Sequence, residues 1–459
     1  MTESTFDLVV LGGGSGGYAA ALRGAELGFS VALVEEDKLG GTCLHSGCIP
    51  TKALLHAAEV AELSRHAASI GVRASFEGID LPGVHAYRDG VVNHLYKGLQ
   101  GLVAAHDVTL VRGRGHLVSP TAVRVGEVVH SAAQAVVLAT GSVARSLPGL
   151  DFGGRVLSSA EALSLPELPR SAIILGGGVI GVEFASLWRS FGVDVTIVEA
   201  LPSLVPNEDR SCGRALERAF RRRGITVRTG VRVAAVEQGP TGVSVALAEG
   251  DPLEADVLLV AVGRGPRTAG MGFEEAGVTL DRGFVEVDAG LRTRVPGVYA
   301  VGDVVEGLQL AHRGFQQGIF VAEEIAGLAP APVPEAHIPR VTYSDPEVAS
   351  VGLTQAQAEE RLGAGRVECV EYNLAGNGRS RIIGTSGFVK LVREKDGPVV
   401  GVHMVGARVG ELIAEAQLAV AWEAHPDDVA PLVHAHPTQN EALGEAFLAL
   451  AGKPLHTHR

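Results

Sequence analysis

The sequence predicts an α/β protein in which two Rossmann-like dinucleotide-binding units are completed by a central domain and a C-terminal α+β domain. Two stretches and one spacing predict the two units. Gly12-Gly13-Gly14-Ser15-Gly16-Gly17 lies between an apolar run at 6–11 and an alanine-rich helical pattern reaching Leu27. Gly176-Gly177-Gly178-Val179-Ile180-Gly181 lies between an apolar run at 172–175 and a helical pattern through Trp188. In both, the next strand ends in an acidic residue, Glu35 or Glu199, 23 positions beyond the first glycine. A glycine-rich turn between strand and helix lets a pyrophosphate reach a helix N-terminus. The first glycine makes the turn, the second (Gly14, Gly178) admits the phosphates, and the third (Gly17, Gly181) lets helix pack on strand. The acidic residue is placed to accept hydrogen bonds from a ribose.

The other elements follow in order. A chain of 459 residues exceeds one ordinary domain, and we expect boundaries at 1–146, 147–270, 271–338 and 339–459. Between 69 and 130 the pattern is weak, with helical spacing around 91–105 and His85, His94, His106 and His116 scattered without ligand spacing. A buried strand at 135–139 stops in Thr140-Gly141-Ser142. A strand at 257–261 ends at Gly263-Arg264-Gly265-Pro266, and one at 298–301 ends at Gly302-Asp303. A proline-rich linker at 329–334 precedes the last domain, which has strands at 387–392 and 399–405 and helices at 354–362 and 410–424. The final helix carries apolar residues on more than one face, which fits either a subunit interface or burial within one chain. Arg221, Arg222 and Arg223 read as a solvated helix end, Cys212 and Cys369 as structural residues, and His456 and His458 as part of a mobile tail.

Composition narrows the function classes. A net charge of −13 argues against nucleic acid as partner. No stretch reaches the ~18 uninterrupted apolar residues of a membrane span. A strand begins within a few residues of Met1, which leaves no room for a signal peptide. Four cysteines in so long a chain are no secreted disulfide framework. A cytoplasmic protein without a metal site is expected.

Two clusters carry chemistry. Gly40-Gly41-Thr42-Cys43-Leu44-His45-Ser46-Gly47-Cys48-Ile49-Pro50-Thr51-Lys52 holds two of the four cysteines. A C-x4-C pair alone fits a redox couple, two unrelated buried thiols or half a metal site. Its flanks favour the first: Gly40 and Gly41 allow a tight turn against a flat ligand, and a helix beginning nearby would lower thiol pKa values. The second cluster is His434-Ala435-His436-Pro437-Thr438-Gln439-Asn440-Glu441. A histidine suits proton transfer near neutral pH, and a glutamate can orient it. That spacing alone is a weak signal.

Taken together, G-G-T-C-L-x-x-G-C-I-P-T-K, the two glycine fingerprints, A-T-G, G-R-x-P, G-D and H-x-H-P-T-x-x-E resemble the flavin-dependent pyridine nucleotide–disulfide oxidoreductases over essentially the whole chain. The form of the cysteine stretch is most like the branch that oxidises dihydrolipoyl groups. The resemblance implies FAD on the first unit, with Gly12, Gly14, Gly17, Glu35, Gly41, Thr42, Lys52, Thr140, Gly141 and Asp303 around it. It implies NAD on the second, with Gly176, Gly178, Gly181, Glu199 and Gly263; a glutamate at 199 would repel the 2′-phosphate of NADP. It further implies Cys43 and Cys48 as the redox pair, His436 as base with Glu441 as its orienter and His434 in support, and a Lys52–Glu183 pair by the flavin. A cis His436–Pro437 peptide and a homodimer built through the last domain also follow. The implied partners are the lipoyl domains and subunit-binding domain of a 2-oxoacid dehydrogenase acyltransferase. A reductase for another small disulfide and a docking subunit are the rival readings; no cysteine follows Cys369, which argues against relatives with a C-terminal thiol pair.

Overall fold

The computed structural model describes residues 2–456, so His458 lies outside the described residues. They fall into two compact units: one comprises the residues up to 54, 80–145 and 263–335, the other 55–79, 146–262 and those from 336 onward.

In the first unit five parallel strands lie in the order Thr109–Arg112, Val31–Glu35, Thr2–Leu11, Val128–Leu138 and Val298–Ala300. The strands Gly115–Ser119 and Ala122–Val125 extend the sheet antiparallel. Alternate residues enter opposite cores: Leu8 and Val10 face one cluster, Val9 and Leu11 the other. Parallel strands need both faces covered, which is why these runs are apolar throughout. On one face helix Ser15–Glu26 meets helix Ala311–Ile325 through glycines; a methyl group on Gly318 would stand 2.3 Å from the Gly16 carbonyl oxygen. An Arg23–Glu323 ion pair at 2.7 Å ties the two helices. Helix Leu81–Ala105 starts well before residue 91, with Pro82 in its first turn, where a missing N–H costs nothing.

The second unit holds another parallel sheet, ordered Thr226–Thr229, Asp194–Glu199, Ser171–Leu175, Val257–Val260 and Val156–Leu157. Beyond residue 336 comes a five-stranded antiparallel sheet, ordered Arg340–Thr342, Glu347–Gly352, Val399–Gly406, Phe388–Glu394 and Val367–Asn373. Helices Val409–Ala421 and Glu441–Leu450 share its core. The first of these buries Val409, Ile413, Ala416 and Val420 while Leu418, and Trp422 at its C-terminal cap, stay exposed, so it is both a core helix and an apolar surface.

Three expectations are corrected. Arg223 is no solvated end, since its guanidinium donates to Ser190 Oγ at 2.8 Å and to the Asp345 carbonyl at 3.0 Å. Cys212 is buried, but Cys369 is exposed on its edge strand. His456 is not loose: its backbone N–H and Nδ1 both meet the Glu445 carboxylate, at 3.0 and 2.7 Å.

A buried ionic knot lies inside the second unit. Asp209 caps helix Arg210–Arg222, takes Lys390 Nζ at 2.9 Å and accepts the Gln355 N–H at 3.0 Å. Burial alone would push its carboxyl up, but Ser211, Lys390 and two backbone N–H groups outweigh that and hold it well below the usual carboxylate range. Its stabilisation is therefore complete above the unfolded carboxyl pKa of about 3.9 and is lost as pH falls through the lower folded value. Lys390→Met should cost about 3–5 kcal/mol at neutral pH, because it strands a buried charge. The cost should shrink as acid protonates Asp209. Urea unfolding of both proteins at pH 7 and at about pH 2, below the unfolded carboxyl pKa, measures this, and an equal cost at both pH values would contradict it.

Candidate active site

The two fingerprints share one geometry. In the first unit a methyl group on Gly17 would lie 1.8 Å from the Gly12 carbonyl oxygen, and one on Gly12 would lie 2.3 Å from that of Ala139. In the second unit the matching distances are 1.9 Å from Gly181 to Gly176 and 2.4 Å from Gly176 to Ala261. The middle glycines differ: a methyl group on Gly14 or Gly178 meets nothing within 4 Å. Neither following helix has a side chain capping its first turn, so the backbone N–H groups and the positive helix end are left for an anion. Glu35 accepts the N–H groups of Gly13 at 2.7 Å and Asp37 at 2.9 Å; Glu199 accepts those of Gly177 at 2.6 Å and Leu201 at 2.7 Å. Each carboxylate oxygen keeps lone-pair capacity for a ribose hydroxyl. The residues present thus fit a dinucleotide on each unit.

The cysteine stretch begins with Gly40 and Gly41 at φ of 101° and 56°, a backbone that side-chain-bearing residues avoid. A methyl group on Gly41 would come within 2.9 Å of the Gly14 Cα, so the turn lies directly against the first fingerprint. Cys43 sits in the short helix Gly41–His45 and Cys48 opens the long helix Cys48–His66. Both are free thiols, and they share a hydrogen bond. That bond, burial and the Cys48 charge push the Cys43 thiol up, against a smaller pull from Lys52, one helical turn beyond Cys48. The expectation of a lowered thiol pKa therefore fails for Cys43, because its dithiol partner and burial outweigh the helix end. Tyr18, whose hydroxyl burial and the Cys43 charge push up to about 12, looks onto the same pair.

Three turns converge here. Gly141, at φ 75°, and Gly263, at φ 109°, have open space where a side chain would be. The Thr140 hydroxyl donates to the Arg267 carbonyl at 2.6 Å. The Ser142 hydroxyl donates to Asp303 Oδ2 at 2.6 Å, and Arg264 Nε donates to Ser142 Oγ at 2.7 Å. Arg264 Nη2 reaches both the Ser142 carbonyl at 2.7 Å and the Thr42 hydroxyl at 3.4 Å. Sequence reasoning singled out Thr42, Asp303 and the turns but missed the roles of Ser142 and Arg264. The sequence offered only an arginine within a glycine-rich turn, a common pattern whose partners come from strand pairing.

In the second unit His436 Nδ1 meets Glu441 Oε1 at 2.8 Å, and Glu441 Oε2 accepts the Thr438 N–H at 2.7 Å. Burial would raise the Glu441 carboxyl, but Thr438 and His436 outweigh it and hold it below its ordinary range. The His436–Pro437 peptide is cis. The imidazole is 78% exposed. His434 Nε2 pairs with Glu415 Oε1 at 2.9 Å, and Asn440 donates to the same carboxylate, so Glu415, a residue missed in the sequence, braces the loop on both sides of His436. Glu183 is buried and accepts the Tyr343 N–H at 2.9 Å. Among the described residues no group of three or more histidine, cysteine or carboxylate side chains could hold a metal ion, and no helix is long and apolar enough to cross a membrane.

Comparison with known proteins gives a consistent result. The family model described as pyridine nucleotide-disulphide oxidoreductase matches residues 6–318, and that of its dimerisation domain matches 338–447. The chain is 39% identical over 471 residues to a dihydrolipoyl dehydrogenase of Bacillus subtilis, covering 98% of this chain and 99% of that protein. It is 40% identical over 461 residues to that of Thermus scotoductus, with the same coverage. The crystal structure of LpdA from Mycobacterium tuberculosis superposes with a TM-score of 0.89 at 28% identity, over 98% of this chain and 100% of that one.

The fingerprint geometry separates fold from ligand. Gly181→Val should lower stability by about 1–3 kcal/mol or more, because its side chain enters the Gly176 carbonyl. Gly178→Val, at an extended backbone with open space around it, should leave thermal unfolding nearly unchanged while weakening NADH binding at least ~tenfold. Calorimetry of unfolding and NADH titration together decide it; equal losses of stability in both variants would contradict the reading.

Proposed function

The chain belongs to the pyridine nucleotide–disulphide oxidoreductase family, and from that membership we propose that it oxidises protein-bound dihydrolipoyl groups to the disulfide while reducing NAD⁺ to NADH. It is an NAD-dependent flavoprotein with FAD and NAD as cofactors and a homodimer-forming domain. The observation that carries the reading is the hydrogen-bonded Cys43–Cys48 dithiol, packed in one unit against an open glycine cradle.

The chain's residues then divide the work. In the oxidised enzyme Cys43 and Cys48 form a disulfide. A dihydrolipoyl thiol gives its proton to His436, whose imidazole Glu441 orients through Nδ1. The resulting thiolate attacks Cys43 Sγ, the Cys43–Cys48 bond breaks, and Cys48 leaves as thiolate. The second lipoyl thiol closes on the first sulfur and expels Cys43, its proton passing to the departing Cys43 sulfur while His436 keeps the first. Lipoyl disulfide departs, and two electrons stay on the chain as the dithiol. Burial and the neighbouring Cys48 raise the Cys43 thiol, which supports Cys43 as the sulfur that keeps the proton and Cys48 as the thiolate. When bound, FAD supplies the acceptor for those electrons and NAD⁺ accepts them as hydride.

In this reading residues 1–146 bind FAD, 147–270 bind NAD, 271–338 complete the flavin site and 339–459 form the interface. The acidic surface suits a basic subunit-binding domain of a 2-oxoacid dehydrogenase acyltransferase, and the lipoyl domains of that complex bring the substrate. A dithiol that must stay reducible fits work in the cytoplasm.

Cys43→Ser and Cys48→Ser should each abolish lipoamide turnover, but only the variant that keeps Cys48 should show a long-wavelength thiolate-to-flavin absorbance band. A band that follows Cys43 would reverse the assignment. The exposure of His436 within its own chain supports a base offered to the partner subunit's dithiol. Two-fold symmetry would then make two shared sites per dimer. Mixing a Cys48→Ser chain with a His436→Gln chain should restore about one quarter of wild-type activity, because half the dimers are mixed and each carries one intact site. Mixed dimers without activity would rule the shared site out.

A further inference from the structure

We infer that Arg264 is a positioning residue of the redox site: it ties the dithiol turn at Thr42 to the turn at Ser142, holds the Asp303 carboxylate through the Ser142 hydroxyl, and places its positive charge where it favours a thiolate on Cys48. The inference rests on the reading of Cys43 and Cys48 as the redox pair and deepens it.

The geometry is specific to arginine. Ser142 has one hydroxyl proton, and it points to Asp303 Oδ2 at 2.6 Å, so the oxygen can only accept from Arg264 Nε at 2.7 Å. Cation, hydroxyl and carboxylate thus form a chain in which each bond polarises the next. Nη2 of the same guanidinium donates to the Ser142 carbonyl at 2.7 Å, a two-point grip on one residue that a lysine ammonium cannot reproduce. The strand Arg264–Pro266 pairs antiparallel with Ser142–Ala144, which fixes the register that brings these groups together. One Asp303 oxygen is occupied by Ser142, and the carboxylate is thereby aimed rather than free to rotate.

The charge has a second addressee. Burial pushes the Arg264 guanidinium down, and the charges of Asp303 and Cys48 push it back up, so cation, carboxylate and sulfur feel one another. Other groups facing the dithiol are Tyr18 from helix Ser15–Glu26, Lys52 from the helix that Cys48 opens, and Asp303. Asp303 opposes a thiolate, and Lys52 favours one. Arg264 neutralises the first and adds to the second.

The test separates charge from grip. Holoenzyme reduced with dithiol is titrated for the long-wavelength band, and flavin release is followed by fluorescence. Arg264→Gln should move the band's midpoint to higher pH. Arg264→Lys keeps the charge and should leave the midpoint in place, but should release flavin ~tenfold faster for want of the two-point grip. Ser142→Ala should likewise loosen flavin without moving the midpoint. If Arg264→Gln does not retain flavin, the pH profile of iodoacetamide alkylation at the Cys48 peptide, compared with that of the flavin-stripped parent, gives the same readout. An unchanged profile in Arg264→Gln, or a Ser142→Ala shift as large as that of Arg264→Gln, would overturn the inference. Absence of any band in the unsubstituted reduced protein would overturn the dithiol reading beneath it as well.

Discussion

Everything else in the molecule depends on how closely two helices approach the strands that precede them. The third glycine of each fingerprint lies so near the carbonyl of the first that one methyl group would overlap it. Only with that contact made does the helix N-terminus stand over the end of the sheet, its first-turn N–H groups free of side-chain caps. The middle glycine then faces open space rather than protein. A helix displaced by even one carbon would carry with it the positive backbone end that a pyrophosphate would meet.

The chemistry is laid over that scaffold in short, rigid pieces. The dithiol turn is pinned by positive-φ glycines and by its contact with Gly14, so the sulfurs are set by backbone rather than by flexible side chains. The imidazole of His436 is set by a carboxylate at the start of a helix, and the loop around it by a second carboxylate, that of Glu415. Charged groups that the reaction does not use are removed from play differently, as in the closed Asp209–Lys390–Gln355 knot.

Much of this was legible in the sequence because the constraint and the residue coincide. A glycine demanded by a 2 Å approach leaves a glycine in the sequence, and in both units a carboxylate that clamps the glycine turn ends a strand at fixed spacing. The cysteine stretch was readable because its glycine flanks set it apart from an ordinary cysteine pair, and the His436–Glu441 couple only through the longer H-x-H-P-T-x-x-E pattern, its spacing alone being a weak signal. Ser142 and Arg264 were not, because a serine in a turn and an arginine after a glycine are common, and only their meeting through strand pairing gives them meaning. Glu415 was hidden because it lies 19 positions before His434, a gap bridged by tertiary packing alone. The sense of the Cys43 shift was misread because a helix end can be seen in sequence, whereas burial cannot.

The clamping of Glu35 and Glu199 has a thermodynamic corollary. Both oxygens of each carboxylate are held by backbone N–H groups of their own unit, independently of any ligand. A ribose that docks there meets acceptors already immobilised, so little side-chain entropy remains to be lost on association. The heat-capacity change of nucleotide binding should then report buried surface rather than ordering of the protein.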